Sequence, residues 1–442
     1  MQQYIDIYNE HRRAIEQQSP AAMNAARERA LATLLSGTVP ARGSDDYEAT
    51  DLGEIFAPNY GVNINRVAFP AVPATFNCAL PTLSAAPFHV VNDTFHAPQN
   101  AQLAPGVVVC AMRDADARCP GVLERYYNRL AADGGDITVA LNTLLAQDGV
   151  LIYVPRGVNN DKPIQLINIL NAAATLMAVR RVLIVLDDGA QASVLMCDHT
   201  ADATRRYLNL QVVEIHLGRD AQLQYYEMEE SSATTGRVSS LLARQERGSS
   251  LLVDSITLNN GITRNNYRID IDDEQCSTTL LGMAIAGAGQ HVDNHTLINH
   301  RAPRCKSHEM FKYSLDDDAI GAFAGKIYVA PGCPGVDAYQ GNRNLCGSPR
   351  ARMYTKPQLE IYTDDVKCSH GATVGQLDRE ALFYMQQRGV SLEAARTLLK
   401  QAFMSDIVDA VQLPALRERL RHLVERRFTG ADALCNNCTL SH

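Results

Sequence analysis

A loose repeat in the middle of the chain constrains its fold more than any other feature. A run rich in β-branched residues, a polar turn, a small residue and a second such run follow one another at 184–195, again at 215–225, and again around 246–253. With Ala190, Ala221 and Ser249 as anchors, the spacings are 31 and 28 residues. One strand–turn–strand unit per repeat at that spacing is what a solenoid needs, because each coil buries its apolar row only by stacking on its neighbours. The repeat is degenerate, and by itself it scarcely separates a β-solenoid from a β-sandwich.

Strand-like runs begin at Val150 and continue through 164–169 and 181–186, each bounded by turn residues. Further on, 267–271 and 278–285 look like a natural pair, and 312–319 and 322–329 extend the pattern. Before Val150 the chain reads differently. A helical pattern runs from Gln2 to about Leu35, with Ser19 as N-cap, Pro20 in the first helical position and Gly37 at the end. A buried strand is expected over 107–112 and short helices over 122–132 and 137–146.

After Asp378 the helical period returns. One helix covers 379–387 and ends at Arg388-Gly389. Ser391 caps a second, whose stripe is Leu392, Ala395, Leu399, Ala402, Phe403, Ile407 and Ala410. Pro414 starts a third, with Leu416, Leu420, Leu423 and Val424 apolar and arginines outward. The organisation is therefore an N-terminal helical and irregular region (1–149), a β-rich core (150–375) and a C-terminal helical region (376–442).

At the last of these boundaries, Cys368 and His370 lie two residues apart in an extended stretch, so their side chains share one face of a strand. A thiolate and an imidazole on one face make half of a soft-metal site. The same spacing also suits a buried thiol beside a hydrogen-bonded imidazole. His291, His295 and His300 form a second histidine group. On a strand, the first two share a face that the third does not, and hydrogen-bonded surface imidazoles are expected rather than a zinc or iron site. Asp316, Asp317 and Asp318 lack the spaced ligands of an EF-hand loop and read as a solvated turn. The tail pair Cys435 and Cys438, with His442, offers two or three ligands and no second pair to close a tetrahedron.

Several function classes are disfavoured. The net charge is −8, with 41 basic and 49 acidic side chains, and no basic cluster marks a nucleic-acid binder. No apolar run is long enough to span a bilayer and the first residues lack a signal-peptide pattern, so a cytoplasmic location is expected. Eleven scattered cysteines suit reduced thiols better than a disulfide framework. There is no phosphate-binding Gly-x4-Gly-Lys-Ser/Thr loop and no Gly-x-Ser-x-Gly elbow, so no catalytic machinery of the chain's own is expected.

The stretch 355–378 reads Thr355-Lys356-Pro357-Gln358-Leu359-Glu360-Ile361-Tyr362, a variable residue, then Asp364-Asp365-Val366-Lys367-Cys368-Ser369-His370-Gly371-Ala372-Thr373-Val374-Gly375-Gln376-Leu377-Asp378. Ala381-Leu382-Phe383-Tyr384 and Arg388-Gly389 follow. This run resembles the signature of the SufB/SufD family, scaffold components of the SUF iron–sulfur cluster assembly system. Cys368-Ser369-His370 is similar to the SufD branch, where SufB-type proteins carry a more acidic Glu-His-Glu version. The likeness is strong from about 292 to 412, moderate from 148 to 291 and weak before that. The 40–50 run departs from the family pattern, with Gly43, Asp45, Tyr47 and Ala49 where Lys, Glu, Trp and Tyr are usual.

The resemblance implies a mainly β protein: a right-handed parallel β-helix flanked by N-terminal and C-terminal helical regions. It implies a non-catalytic scaffold that pairs with SufB, or with itself as a homodimer, and carries the ATPase SufC on its C-terminal helices. Cys368 and His370 are then the expected ligands of a transient iron–sulfur cluster or iron shared with SufB, with nothing tightly bound by the isolated chain. A purely structural homodimer and a β-helix carbohydrate-active enzyme are the alternatives; the motif and terminal helices weigh against the second.

Overall fold

The computed structural model describes residues 1–44, 46–69, 87–133 and 135–430. In chain order its elements are α1 (Gln2–Gln17), α2 (Ala21–Ser36), α3 (Leu52–Phe56), β1 (Phe88–Val91), β2 (Thr94–His96), β3 (Val108–Ala111), α4 (Ala115–Arg118), α5 (Val122–Tyr126) and α6 (Ile137–Leu145). There follow β4 (Val150–Val154), β5 (Asn159–Leu170), β6 (Leu176–Leu186), β7 (Gln191–Thr200), β8 (Tyr207–Leu217), β9 (Gln222–Glu230), β10 (Thr235–Gln245) and β11 (Ser250–Asn259). The rest are β12 (Ile262–Ile271), β13 (Ser277–Ala286), β14 (His291–His300), β15 (Lys306–Leu315), β16 (Ile320–Val329), β17 (Val336–Cys346), β18 (Arg352–Ile361), β19 (Val366–Gly375), α7 (Arg379–Gln387), α8 (Leu392–Ala410) and α9 (Pro414–Thr429).

From β4 onward every strand pairs in parallel with the strand two places away, so even-numbered strands build one sheet and odd-numbered strands the other. This is a parallel β-helix. The three repeat anchors explain the register. Gln222 N–H donates to the Ala190 carbonyl (2.9 Å), Ser250 N–H to that of Ala221 (2.8 Å), and Ser277 N–H to that of Ser249 (3.0 Å). The anchors are thus successive occupants of one corner, all fully buried, and a small side chain suits so tight a bend between the sheets.

The pairing of 267–271 with 278–285 expected from local pattern does not occur. Those segments belong to β12 and β13, which lie in different sheets; β12 pairs with β10 and β14. Alternation identifies a strand but carries no information on its partner, and in a solenoid the neighbour in sequence is never the neighbour in the sheet.

Between the sheets, alternate residues such as Ile184, Val194, Ile215, Leu223, Val253, Leu280 and Phe311 form a continuous core. The outer faces are covered unevenly. N-terminal helices cover the first even strands, packing Tyr4, Leu141 and Leu144 with Leu183, Leu208 and Leu210. α8 and α9 cover the odd sheet, where Met404, Ile407, Leu416, Leu420 and Leu423 meet Leu252, Ile256, Leu281 and Met283. Two cationic anchors support this docking: Lys400 to Asp316 (2.6 Å), and Lys312, which reaches Asp406 and the Phe403 carbonyl (2.8 Å).

The N-terminal helical run is interrupted at 18–20, and Pro20 occupies the cap position rather than the first turn of α2. Fully buried Arg27 on α2 donates to the carbonyls of Thr143 (3.3 Å), Leu144 and Ala146 (2.7 Å), satisfying the otherwise orphaned end of α6. The helix expected over 122–132 stops as α5 at Tyr126, with Asn128 in the left-handed region (φ 59°). Among the described residues no helix is long and apolar enough to cross a membrane.

Candidate functional site

Among the described residues β18 pairs only with β16 and β19 only with β17, so each ends its sheet there and presents one backbone edge without a described partner. An exposed parallel edge is a template for pairing with another chain unless covered. Tyr354, Ile361, Tyr362 and Val374 stand exposed on or beside these two strands. Lys356 ties β18 to Glu48 through a 3.0 Å ion pair.

Cys368 and His370 sit on β19, in register with Ala338 and Gln340 of β17. The expectation that they share a face holds for their strand. Cys368 is half-buried and packs against the cluster of Ile327, Val329, Val336 and Ala338. That burial pushes its thiol pKa up; a backbone hydrogen bond from Ala338 lowers it by less, and the charge of Asp337 adds to the rise. In the isolated chain Cys368 is a protonated thiol rather than a preformed thiolate ligand. His370 is exposed.

The ladder continues inward beneath His370. Gln340 is in register with Glu309 of β15 and donates to it (Nε2–Oε2 2.8 Å); both are fully buried. Burial raises the Glu309 carboxyl to about 7, against smaller lowering by hydrogen bonds from Thr296 and Gln340. Sequence reading missed Gln340 and Glu309. The signal that reveals them is the coil period, which places residues 30 or 31 positions apart in one column.

Among the described residues, no group of three or more His, Cys, Asp or Glu side chains converges in a way that could hold a metal ion. Cys368 and His370 therefore offer at most two protein donors, and a cluster or iron held here would take further ligands from elsewhere.

The other candidate groups are dispersed. On β14, buried His291 contacts the Thr50 hydroxyl (Nε2–Oγ1 3.1 Å) and His295 faces Asp46 (3.3 Å). His300 points the other way and hydrogen-bonds Ser307 inside the helix (2.9 Å). They share hydrogen bonds as expected, but His291 and His300 are buried rather than on the surface. The 40–50 run covers this face: Tyr47 stacks under the Arg264 guanidinium at 4.3 Å, and Thr50 also bonds Asp293. The aspartate turn binds within the fold, Asp316 to Lys400 and Asp318 to the Gly289 N–H (2.9 Å). Cys435, Cys438 and His442 lie outside the described residues. All eight described cysteines are free thiols.

These features define a class: a parallel β-helix whose terminal coil is left open and presents a thiol and an imidazole, with a helical appendage beyond it. The description "SUF system FeS cluster assembly, SufBD core domain" matches residues 168–403, and "SufBD protein N-terminal region" matches 1–166. The chain belongs to the SufB/SufD family of the SUF iron–sulfur cluster assembly system. It is 29% identical over 412 residues to an iron–sulfur cluster assembly SufBD family protein of Synechocystis sp., covering 91% of this chain and 90% of that one. It is also similar to the iron–sulfur cluster assembly protein SufD of Escherichia coli (27% identity, 67% of this chain and 70% of the relative) and to that of Bacillus subtilis (26%, 73% and 74%).

Proposed function

We propose that this chain is a SufD-type scaffold subunit of a cytoplasmic SUF assembly complex. It pairs with SufB through the open coil end and carries SufC on its C-terminal region, so that a nascent cluster or iron is handled where Cys368 and His370 meet the partner. The observation that carries this reading is the placement of the two donors on β19, an edge strand with room for a second chain and too few ligands of its own. The cluster is cargo, and ATP hydrolysis is SufC's contribution. On this reading 1–149 caps the solenoid, 150–375 forms the scaffold and 376–442 is the docking region.

The half-burial of Cys368 against Val336 and Ala338 favours one rival: a structural homodimer in which the thiol merely packs. Anaerobic cluster reconstitution with co-expressed SufB and SufC separates the two. Cys368→Ala and His370→Ala are expected to leave the complex intact on a sizing column while visible absorbance and iron content collapse. Wild-type loading by both variants sinks the site and leaves an architectural partner.

The surface for SufC is narrower than the whole helical end. α9 spends its apolar row on the chain's own core, and so does the C-terminal half of α8 from Phe403 to Ala410, whereas Leu392 and Ala402 of the expected stripe are exposed and, among the described residues, α7 has no buried side chain. Phe383 and Tyr384 are 62% and 57% exposed, and Leu398 on α8 is exposed as well. Aromatic anchors of this kind dominate binding energy at interfaces. Replacing both Phe383 and Tyr384 with Asp is expected to weaken SufC binding by about 100-fold, from roughly 2–3 kcal/mol of lost anchor contact. SufB pairing should persist, and co-purification reads both. Undiminished SufC retention would move the docking face elsewhere.

A further inference from the structure

We propose that Cys276 and Cys305 are a redox-modification site: a hydroperoxide converts them to a reversible disulfide that fastens two consecutive coils at one corner. The two residues occupy the corner column that begins with Ala190, Ala221 and Ser249. Each immediately precedes an odd strand, Cys276 before β13 and Cys305 before β15. Those strands pair with Ser277 opposite Lys306, and the Lys306 N–H donates to the Cys276 carbonyl at 2.9 Å. Stacked positions on neighbouring strands lie about 4.8 Å apart, within the Cα separations that a disulfide spans.

The sulfurs converge as well as the backbones. Cys276 Sγ and Cys305 Sγ are each 3.2 Å from one acceptor, the Asp273 carbonyl. Both residues are almost fully buried, at 1% and 0% exposure, but lie at a turn between the sheets. Exposed Asp272 and Gln275 flank one of them, and exposed Arg301 and Arg304 belong to the turn before the other. A small peroxide can therefore reach the pair through local opening of a turn, without disruption of a sheet.

The two thiols are not equivalent. Cys276 receives hydrogen bonds from the Cys305 thiol and the Ser249 hydroxyl, which outweigh burial and hold its pKa to about 7; Cys305 is pushed up in turn. Carbonyls of Glu246 (3.1 Å) and Asp273 accept from Cys276 while it remains protonated. Cys276 is the attacking sulfur. Its thiolate takes the terminal oxygen of the hydroperoxide as the O–O bond breaks, giving a sulfenic acid, and the departing alkoxide takes up the proton that Cys276 released. Cys305 sulfur then displaces that oxygen, which leaves as water with the Cys305 proton. Two thiols are oxidised, and one hydroperoxide is reduced to an alcohol and water.

The test uses the full chain, reduced, freed of reductant under anaerobic conditions and treated with hydrogen peroxide. After alkylation and denaturation, two of the eleven thiols should be missing. Peptide mass spectrometry should link Cys276 to Cys305, and dithiothreitol should restore both. Neither the link nor that loss should appear in Cys276→Ser or Cys305→Ser. Thiol loss mapped to other cysteines overturns the proposal, as does a Cys276–Cys305 link that forms only in urea. So does an unchanged count in the native chain.

Discussion

Arg237→Met is expected to lower the stability of the chain by about 3–5 kcal/mol at neutral pH, read as a drop in the denaturant midpoint, because it strips the central cation from a buried charge network. Arg237 on β10 points into the solenoid, where Nη2 meets Glu227 (2.9 Å) and Nη1 meets Asp198 (3.3 Å) and, more distantly, Glu229 (3.9 Å). Arg180 holds the other Asp198 oxygen at 2.7 Å, and Tyr267 donates to Glu227 while accepting from the Ser255 hydroxyl (2.7 Å). Burial on its own would lower the Arg237 pKa, but Glu227, Asp198 and Glu229 together raise it, so the guanidinium stays charged.

Two guanidinium groups thus face three carboxyls, and burial lifts Glu229 to about 7, which brings the cluster close to neutral. Methionine matches much of the arginine stem but leaves Asp198 and Glu227 as uncompensated buried charges, and that asymmetry sets the size of the loss. Two further results identify the cause. Adding Asp198→Asn and Glu227→Gln should recover part of the loss, and so should lowering the pH of the single variant towards 5. A loss below about 1 kcal/mol would mean that water reaches the cluster and screens it.

None of this network was legible in the sequence, and the reason is topological. Asp198, Glu227, Arg237 and Tyr267 come from four strands, and only the coil register brings them together. The register was readable over the first coils, where Ala190, Ala221 and Ser249 mark the corner with small residues. It fades where the same corner is filled by Cys276, Cys305, Val336 and Val366, because packing there tolerates other small or β-branched side chains. Helix starts were more local and therefore more legible: Ser391 accepts from the Ala394 N–H at 3.2 Å, and Pro414 opens α9. The 379–387 helix also appears with the expected bounds.

The candidate site divides along the same line. Cys368 and His370 share a face through strand alternation, a property of two neighbouring positions in one strand. Their open edge depends on β18 and β19 being last in their sheets, and the Gln340 and Glu309 column depends on coil spacing; neither is a local property. For the histidines, alternation separated His300 from His291 and His295, but it could not show that Thr50, 241 positions before His291, would cover that face. Likewise, similar apolar periodicity in the terminal helices did not show that α9 is committed to the core while α7 is free.

Asp254→Asn should stabilise the chain at pH 8 and lose that advantage near pH 4. Asp254 lies on β11 between Leu252 and Ile256, on the face of the odd sheet that α8 and α9 cover. It is fully buried, and neither carboxyl oxygen has a hydrogen-bond partner among the described residues. Burial alone raises its pKa to about 8. The unfolded carboxyl titrates near 3.9. Below that value both states are protonated and the residue imposes no ionisation cost. As pH rises from about 4 to 8 the unfolded chain releases its proton while the folded chain retains it, so stability falls by up to about 1.4 kcal/mol per unit. Above about 8 the folded carboxyl ionises and the cost levels off. Asparagine keeps the shape and never ionises, so at pH 8 it should gain on the order of 2–4 kcal/mol, after allowance for the amide's own unmet hydrogen bonds. Thermal midpoints of wild type and variant measured from pH 4 to 9 should therefore diverge steadily as pH rises and run parallel beyond about 8. A constant offset across that range would show that the amide changes packing rather than removing a titrating group. Convergence at high pH would mean that the ionised carboxylate gains a cation or water by rearrangement beneath α8 and α9.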